Sequence, residues 1–269
     1  MTSALTLGPL LLPYALLLVV AGAGTSMLVG RLMGRRTGVD VESSLWNALL
    51  IGAVVARLAF VLEYKTLYFA SPLSIVDIRD GGWNATAGLA GAWLYAFHRY
   101  QKDPSLRKAL QRGLLAGTAV FALGIGWLAL RPGPTQPLPA MQLATLDGRT
   151  VQLADFAGKP TVVNLWATWC PPCVREMPML LHAQRQHEGH VNFVFINQGE
   201  QAAQVARWLH ARQLDMANML IDDKRAASAA FKQQGYPTTL FFNAQGEMVA
   251  SRLGELSAAT LEQSLAKSR

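Results

Sequence analysis

Two regimes of hydrophobic patterning divide this chain near residue 132. Before it, apolar residues come in long blocks. Met1 to Gly30 contains no charged residue, and its Leu-rich run from Pro9 to Gly30 is long enough to cross about 30 Å of hydrocarbon. A second block runs from about Ser44 to Leu62, interrupted only by Arg57. A third, Trp83 to Phe97, is short and rich in Gly and Ala, and a fourth, Gly113 to Leu130, is cleanly apolar. The pattern predicts an all-α membrane domain of four transmembrane helices over residues 1–131.

After a Pro-rich stretch, 132–140, the apolar residues recur in short runs separated by amphipathic ones. Met141–Thr145 and Thr150–Leu153 flank Leu-Asp-Gly-Arg and predict a hairpin. The continuous, β-branched run Thr161–Ala167 reads as a buried strand, as does Val191–Asn197. Helices are expected from Cys170 to about Glu188, over 201–213 and over 224–234, with a strand at Met219–Ile221. A second hairpin, Thr238–Asn243 with Met248–Leu253, and a helix over about 257–267 complete the pattern. This alternation predicts an α/β domain over 141–269, a mixed sheet with helices on both faces.

Composition sharpens the division. The chain has 269 residues, 51% hydrophobic and only 15% charged, against about 25% charged in an average soluble domain. Its net charge of +7 could suggest nucleic-acid binding. Cut at Pro132, however, the first part carries 12 basic and 6 acidic residues, and the second 12 and 11. The excess sits in the apolar half and sorts into alternate loops: Arg31, Arg35 and Arg36 in the first, Arg99, Lys102, Arg107, Lys108 and Arg112 in the third. Lys65 and Arg79 are the only bases of the second. By the positive-inside rule the first and third loops are cytoplasmic, and the α/β domain faces outward, into the periplasm of a Gram-negative cell. No base precedes the first apolar run, so it lacks the positive start of a cleaved signal peptide. The four prolines between 132 and 139 favour an extended spacer of roughly 3 Å per residue. These readings give an inner-membrane, multi-pass protein with the lipid bilayer as one partner and no nucleic acid.

Candidate chemistry lies in Trp166-Ala-Thr-Trp-Cys170-Pro-Pro-Cys173. The only two cysteines of the chain stand at a strand-to-helix junction. Cys170 would sit at the helix N-terminus, where unpaired N–H groups and the positive end of the dipole favour thiolate. Pro171 and Pro172 suit a first turn, where amide donors are not needed. Cys173 falls one turn in and would be more buried. Such a pair can cycle between dithiol and disulfide, Cys170 exchanging with a partner and Cys173 resolving the mixed disulfide.

The segment resembles the active site of thioredoxin-fold proteins, in particular the TlpA/ResA group of membrane-anchored periplasmic thiol-disulfide oxidoreductases. Pro178 stands five residues after Cys173, Glu176 three after it, and Gly235-Tyr-Pro237-Thr-Thr239 precedes a strand. The resemblance covers residues 140–269. It implies a helix kinked at Pro178, a cis Pro237 and an acidic proton handler at Glu176. Asn164 stands where classical thioredoxins hold a buried Asp, which throws proton handling onto Glu176 as general acid or base for Cys173. It also implies that Trp169, Tyr236 and Pro237 form the substrate-binding surface, the backbone of Tyr236 pairing with an extended client segment.

Residues 45–100 resemble part of the prolipoprotein diacylglyceryl transferases, through Gly52–Tyr64 and Asp80–Leu89. In that family the second stretch carries an essential His before Gly-Gly-Leu; here the place reads Thr86-Ala87-Gly88-Leu89. The resemblance implies a reused membrane scaffold without lipid transfer. Arg57, a charge inside an apolar run, is a functional candidate by default; satisfied by Glu63, a loop carbonyl or a lipid headgroup, it would be structural, and that reading is preferred.

The leading function is reduction of disulfides in exported proteins. The alternatives are a periplasmic disulfide oxidase or isomerase and a copper-binding chaperone. The last would need a CxxxC spacing and a placed His; His182, His187 and His190 suit no metal triad with the cysteines, and Met177 and Met179 read as core. A peroxidase would need Thr-x-x-Cys, but Thr168 is two residues before Cys170. No metal and no cofactor is expected. The partners are periplasmic protein thiols and disulfides. Because the membrane half holds no cysteine, a separate DsbD/CcdA-like membrane electron donor, or an acceptor for an oxidase, must recycle the pair.

Overall fold

The computed structural model describes residues 4–7, 10–70, 72–130, 137–233 and 235–268. These form two compact units.

The first unit is helical. A short hairpin of β1 (Ala4–Leu7) and β2 (Leu10–Pro13) precedes α1 (Tyr14–Thr37). Within the first apolar run Leu10–Pro13 are therefore extended, and the helix begins at Tyr14. Then come α2 (Glu42–Glu63), α3 (Lys65–Ala70), α4 (Ala85–Lys102) and α5 (Arg107–Leu130). Among the described residues three stretches are long and apolar enough to cross a membrane: Tyr14–Thr37, Glu42–Glu63 and Pro104–Leu130. The helix expected as the third span, α4, is present but shorter and less apolar than these. In α4 the apolar and small residues stop at Phe97, before His98-Arg99, leaving about 20 Å of apolar helix against about 30 Å of hydrocarbon.

Small residues hold the helices in two antiparallel pairs. On α1 the buried positions are Gly22, Ser26, Gly30 and Gly34, one every fourth residue. They face Gly113 and Gly117 of α5 so closely that a Cβ on Gly117 would lie 2.5 Å from the Gly22 carbonyl oxygen. On α2, Ser44, Ala48, Gly52 and Ala56 repeat that spacing, and a Cβ on Gly52 would lie 2.9 Å from the Gly88 oxygen of α4. Large apolar side chains point outward instead, among them Val20, Leu28, Leu50, Leu62 and Leu123, each at least 60% exposed. Small inside and large outside inverts a water-soluble bundle and suits helices whose surroundings are as apolar as their cores.

Arg57 is buried in this unit. Its guanidinium donates to the carbonyls of Ile75 (3.0 Å), Ser74 (2.9 Å) and Gly82 (2.9 Å) and lies 5.0 Å from the Tyr68 ring centroid. Loop carbonyls thus satisfy it, in the structural manner preferred from sequence. Thr86 donates to Asn84 Oδ1 (2.7 Å), the cap of α4.

The second unit is a seven-stranded mixed sheet in the order β4-β3-β7-β6-β5-β8-β9. Its strands are β3 (Gln142–Thr145), β4 (Thr150–Gln152), β5 (Thr161–Trp166), β6 (Asn192–Gln198), β7 (Met219–Asp222), β8 (Thr238–Phe242) and β9 (Met248–Leu253). The helices are α6 (Pro171–Gln186), α7 (Ala202–Ala211), α8 (Ala226–Ala230) and α9 (Ala258–Leu265). Central β5 is buried along its whole length, parallel to β6 and antiparallel to β8. Its alternate residues feed two cores. Val162 and Trp166 pack with Met177, Leu180, Val205, Leu209 and Leu261 under α6, α7 and α9. Val163 and Leu165 pack on the other face with Ala227 and Phe231 of the α8 region. Both expected hairpins are present. Of the Pro-rich stretch, residues 132–136 lie outside those described; Pro137 pairs with Glu247, and Leu138 is buried.

Candidate functional site

Strand β5 delivers the chain, fully buried, to the top of the sheet. Ala167–Cys170 turn it, and α6 starts at Pro171. Cys170 is the N-cap of α6: its Sγ accepts from the Cys173 amide at 3.3 Å. Pro171 and Pro172 fill the first turn, where the lack of an N–H costs no helix bond. Cys170 and Cys173 form a disulfide with Cα atoms 5.3 Å apart. Cys173 is fully enclosed, and Cys170 retains 4% exposure. The outer sulfur-bearing residue is thus the one at the helix terminus, where a thiolate would gain from the dipole.

Trp169 stands beside the pair with 56% exposure, whereas Trp166 is entirely buried against Trp208. Trp169 meets the Tyr236 ring edge-on at 6.0 Å. The Tyr236–Pro237 peptide is cis, and Pro237 itself is buried. The Tyr236 hydroxyl lies 2.9 Å from Ser228 Oγ.

Glu176 lies one turn beyond Cys173 on α6 and is 2% exposed, so it is not a surface residue of the first turns. Oε1 accepts from Asn164 Nδ2 at 2.8 Å and Oε2 from the Leu256 amide at 3.0 Å. Burial pushes its pKa up to about 7, and those two donors only partly offset that. A carboxyl balanced near neutrality can both hold and release a proton at working pH. Asn164 also donates to Thr239 Oγ1 at 3.0 Å, two residues past Pro237, while its own Oδ1 is buried without a partner. Pro178 stands inside α6 as expected.

The remaining candidates separate. Met177 is core, and Met179 packs at its edge. His187 pairs with Glu262 at 2.6 Å, and His190 contacts the Glu188 carbonyl. Among the described residues no cluster of His, Cys, Asp and Glu could hold a metal ion.

Glu200, in the turn between β6 and α7, escaped the sequence reading. It is 5% exposed and accepts from the Thr168 amide at 2.7 Å and from the Thr168 hydroxyl. Asn197 Nδ2 and Gln204 Nε2 also donate to it, each at 2.7 Å. The only signal was an acid directly after a buried strand and Gly199, whose φ is +78°.

Comparison with known proteins places two families on the chain. The Redoxin family model matches residues 134–266. The prolipoprotein diacylglyceryl transferase model matches residues 3–131, more of the chain than the stretches quoted from sequence. A thioredoxin-like protein of Bacillus subtilis, YneN, is 30% identical over 132 residues, 48% of this chain and 77% of the relative. The thiol-disulfide oxidoreductase ResA of Halalkalibacterium halodurans is 30% identical over 123 residues, 45% of this chain and 69% of the relative. A crystal structure of a thioredoxin-family thiol:disulfide interchange protein from Chlorobium tepidum is 25% identical and covers 51% of this chain and 98% of its own, with a TM-score of 0.45.

Proposed function

We propose, for a chain that belongs to the thioredoxin-fold thiol-disulfide oxidoreductases of the Redoxin family, that it is a membrane-anchored reductase of disulfides in exported proteins. The observation that carries this reading is the Cys170–Cys173 pair at the start of α6, Cys170 the less buried of the two and Cys173 fully enclosed one turn before a buried acid.

In the reducing direction the Cys170 thiolate attacks one sulfur of a client disulfide. A Cys170–client bond forms, and the client's second sulfur leaves as thiolate and takes a proton. The Cys173 thiol then gives its proton to Glu176 and attacks Cys170 Sγ, releasing the client's other sulfur. Two electrons pass to the client, and the protein is left as the disulfide seen here. Trp169, Tyr236 and the cis Pro237 edge hold an extended client segment. A DsbD/CcdA-like membrane donor returns the two electrons, since both cysteines of the chain lie in the second unit.

The helical unit is the anchor, and its packing supports an outward-facing oxidoreductase domain. Because α1 and α5 are antiparallel, Arg31–Arg36 and Arg107–Arg112 share one end of the pair, where Arg112 reaches Met33 Sδ at 3.1 Å. That end is cytoplasmic by the positive-inside rule, so Leu130 leaves on the other side. With α2 leaving at the outer end and α5 starting at the inner one, α4, antiparallel to α2, carries the chain back across.

The test is Cys173→Ala in cells, with mixed disulfides trapped and partners identified, alongside thiol alkylation of the wild type. Client capture through Cys170 with mostly reduced wild type is expected. A mostly oxidised wild type would make the enzyme an oxidase, and no capture through Cys170 would refute the nucleophile assignment.

A further inference from the structure

We propose that Glu200 is a positioning residue for the nucleophile: it pins the β5–α6 loop so that Cys170 stays at the N-terminus of α6 and Trp169 stays outward. The inference rests on Cys170 being the nucleophile.

The loop has little else to hold it. Ala167 continues the buried strand, and Cys170 is bound at both sides, its amide donating to the Ala167 carbonyl at 3.2 Å and its sulfur accepting from Cys173. Between them lie Thr168 and Trp169, and Trp169 is exposed. Thr168 is fastened by both its amide and its hydroxyl to the one carboxyl of Glu200. The strands make this reach possible. In the β5–β6 register Trp166 pairs with Asn197, so the chain ends of the two strands emerge side by side. Gly199, with φ of +78° and its amide on the Asp222 carbonyl at 2.8 Å, turns Glu200 back over β5.

The chemistry of the site requires an acid there. All four partners meet Glu200 as donors: the Thr168 amide, the Thr168 hydroxyl, Asn197 Nδ2 and Gln204 Nε2. A carboxylate accepts at both oxygens. An amide of the same shape turns an NH2 group toward these donors, so that the Thr168 hydroxyl or the Gln204 amide must turn over to accept it, and the charge-assisted hold on the loop is lost. No cation pairs with Glu200 among the described residues, so its charge is held by hydrogen bonds alone, two of them from the loop it positions.

The experiment uses the full chain in detergent, with Cys173→Ala so that only Cys170 is alkylated. The rate of Cys170 alkylation is followed from pH 5 to 9, with and without Glu200→Gln or Thr168→Val. The two-cysteine versions are equilibrated against glutathione. Freed from its clamp, Cys170 loses part of its hold on the helix terminus. Its alkylation midpoint rises and its rate at neutral pH falls about three- to tenfold, the size of one charge interaction at a helix end. The dithiol–disulfide equilibrium shifts in parallel. The sign separates positioning from charge, because deleting a negative charge alone would lower the midpoint. Thr168→Val keeps the charge and must shift it the same way as Glu200→Gln.

Thr161→Val is the control for general loosening. Thr161 is buried at the opposite end of β5 from Thr168, and its hydroxyl donates to the Phe156 and Lys159 carbonyls. This variant lowers thermal stability and leaves the Cys170 profile in place. An unchanged Cys170 profile in both Glu200→Gln and Thr168→Val overturns the inference. So does a downward midpoint, or an equal shift in Thr161→Val. If Cys170 captures no client at all, the nucleophile reading fails instead, and these profiles are unaffected by that failure.

Discussion

Replacing Glu176 with Gln removes a pH-dependent part of the stability of the oxidoreductase unit. The carboxyl is 2% exposed, and burial, the largest influence, raises its pKa from an ordinary 4.5 to about 7. The Leu256 amide and Asn164 pull it down, and the nearby Glu255 charge pushes it slightly further up. Between pH 4.5 and 7 the folded protein therefore binds more protons at this site than the unfolded chain. Stability falls as pH rises through that window. The favourable contribution is complete below 4.5 and lost above 7. At 1.36 kcal/mol per pH unit, the whole effect is about 3 kcal/mol, or roughly 100-fold in the folding equilibrium.

Gln at position 176 carries no charge at any pH, so this slope vanishes. The site can take the amide: turning the Asn164 side chain over brings its unpartnered Oδ1 toward position 176, and the Thr239 hydroxyl then donates where it now accepts. The assay is hydrogen exchange of β5 and α6 in the oxidised full-length protein in detergent, from pH 5 to 8, corrected for intrinsic exchange. Subtracting the variant from the wild type removes the contribution of groups that do not interact with position 176. The difference should fall by most of the ~3 kcal/mol across that range. A flat difference, or one that grows with pH, refutes the placement of a raised acid beside Cys173.

Asn164→Ala removes a donor that lowers the Glu176 pKa, so the same difference experiment should place the midpoint higher than in the wild type. Gly117→Leu should force α1 and α5 apart and destabilise the helical unit by about 1–3 kcal/mol, the usual cost of overpacking, whereas Gly24→Ala, with nothing within 4 Å of its added Cβ, should be silent; thermal melting in detergent reads both. Arg57→Met should cost at least about 2 kcal/mol in the same melt, and Arg57→Lys should recover only part of it, because one ammonium cannot span the Ser74, Ile75 and Gly82 carbonyls.

Local pattern carried most of the oxidoreductase unit. A continuous β-branched run such as Thr161–Trp166 has one reading when turn residues bound it, and β5 occupies those residues. The helix expected over 224–234 contracts to Ala226–Ala230 because Arg225 and Lys232, with φ of +56° and +54°, close it on both sides. Hydropathy averaged over α4 without marking that its apolar run stops at Phe97. It also passed over the four-residue spacing of Gly22, Ser26, Gly30 and Gly34, since small residues score weakly yet set the helix contact. In the site, chain-local features were legible: the two cysteines, Pro178, Glu176 and Pro237. Glu200 was not, because its partner Thr168 is 32 residues away and becomes a neighbour only through the β5–β6 register.

The match of the helical unit to the diacylglyceryl transferases can be weighed on residues. In that family's pattern a His occupies the place of Thr86, and here the Thr86 hydroxyl is bound to the Asn84 side chain that caps α4. A hydroxyl engaged in capping is no substitute for an imidazole that titrates near neutrality. The features the helical unit does show are structural: the small-residue faces of α1 with α5 and α2 with α4, and the carbonyl cradle around Arg57. Both features fix helices or loops of the unit against each other. The chemistry resides in the other unit, where a buried acid near pKa 7 and a disulfide at a helix terminus stand one turn apart on α6.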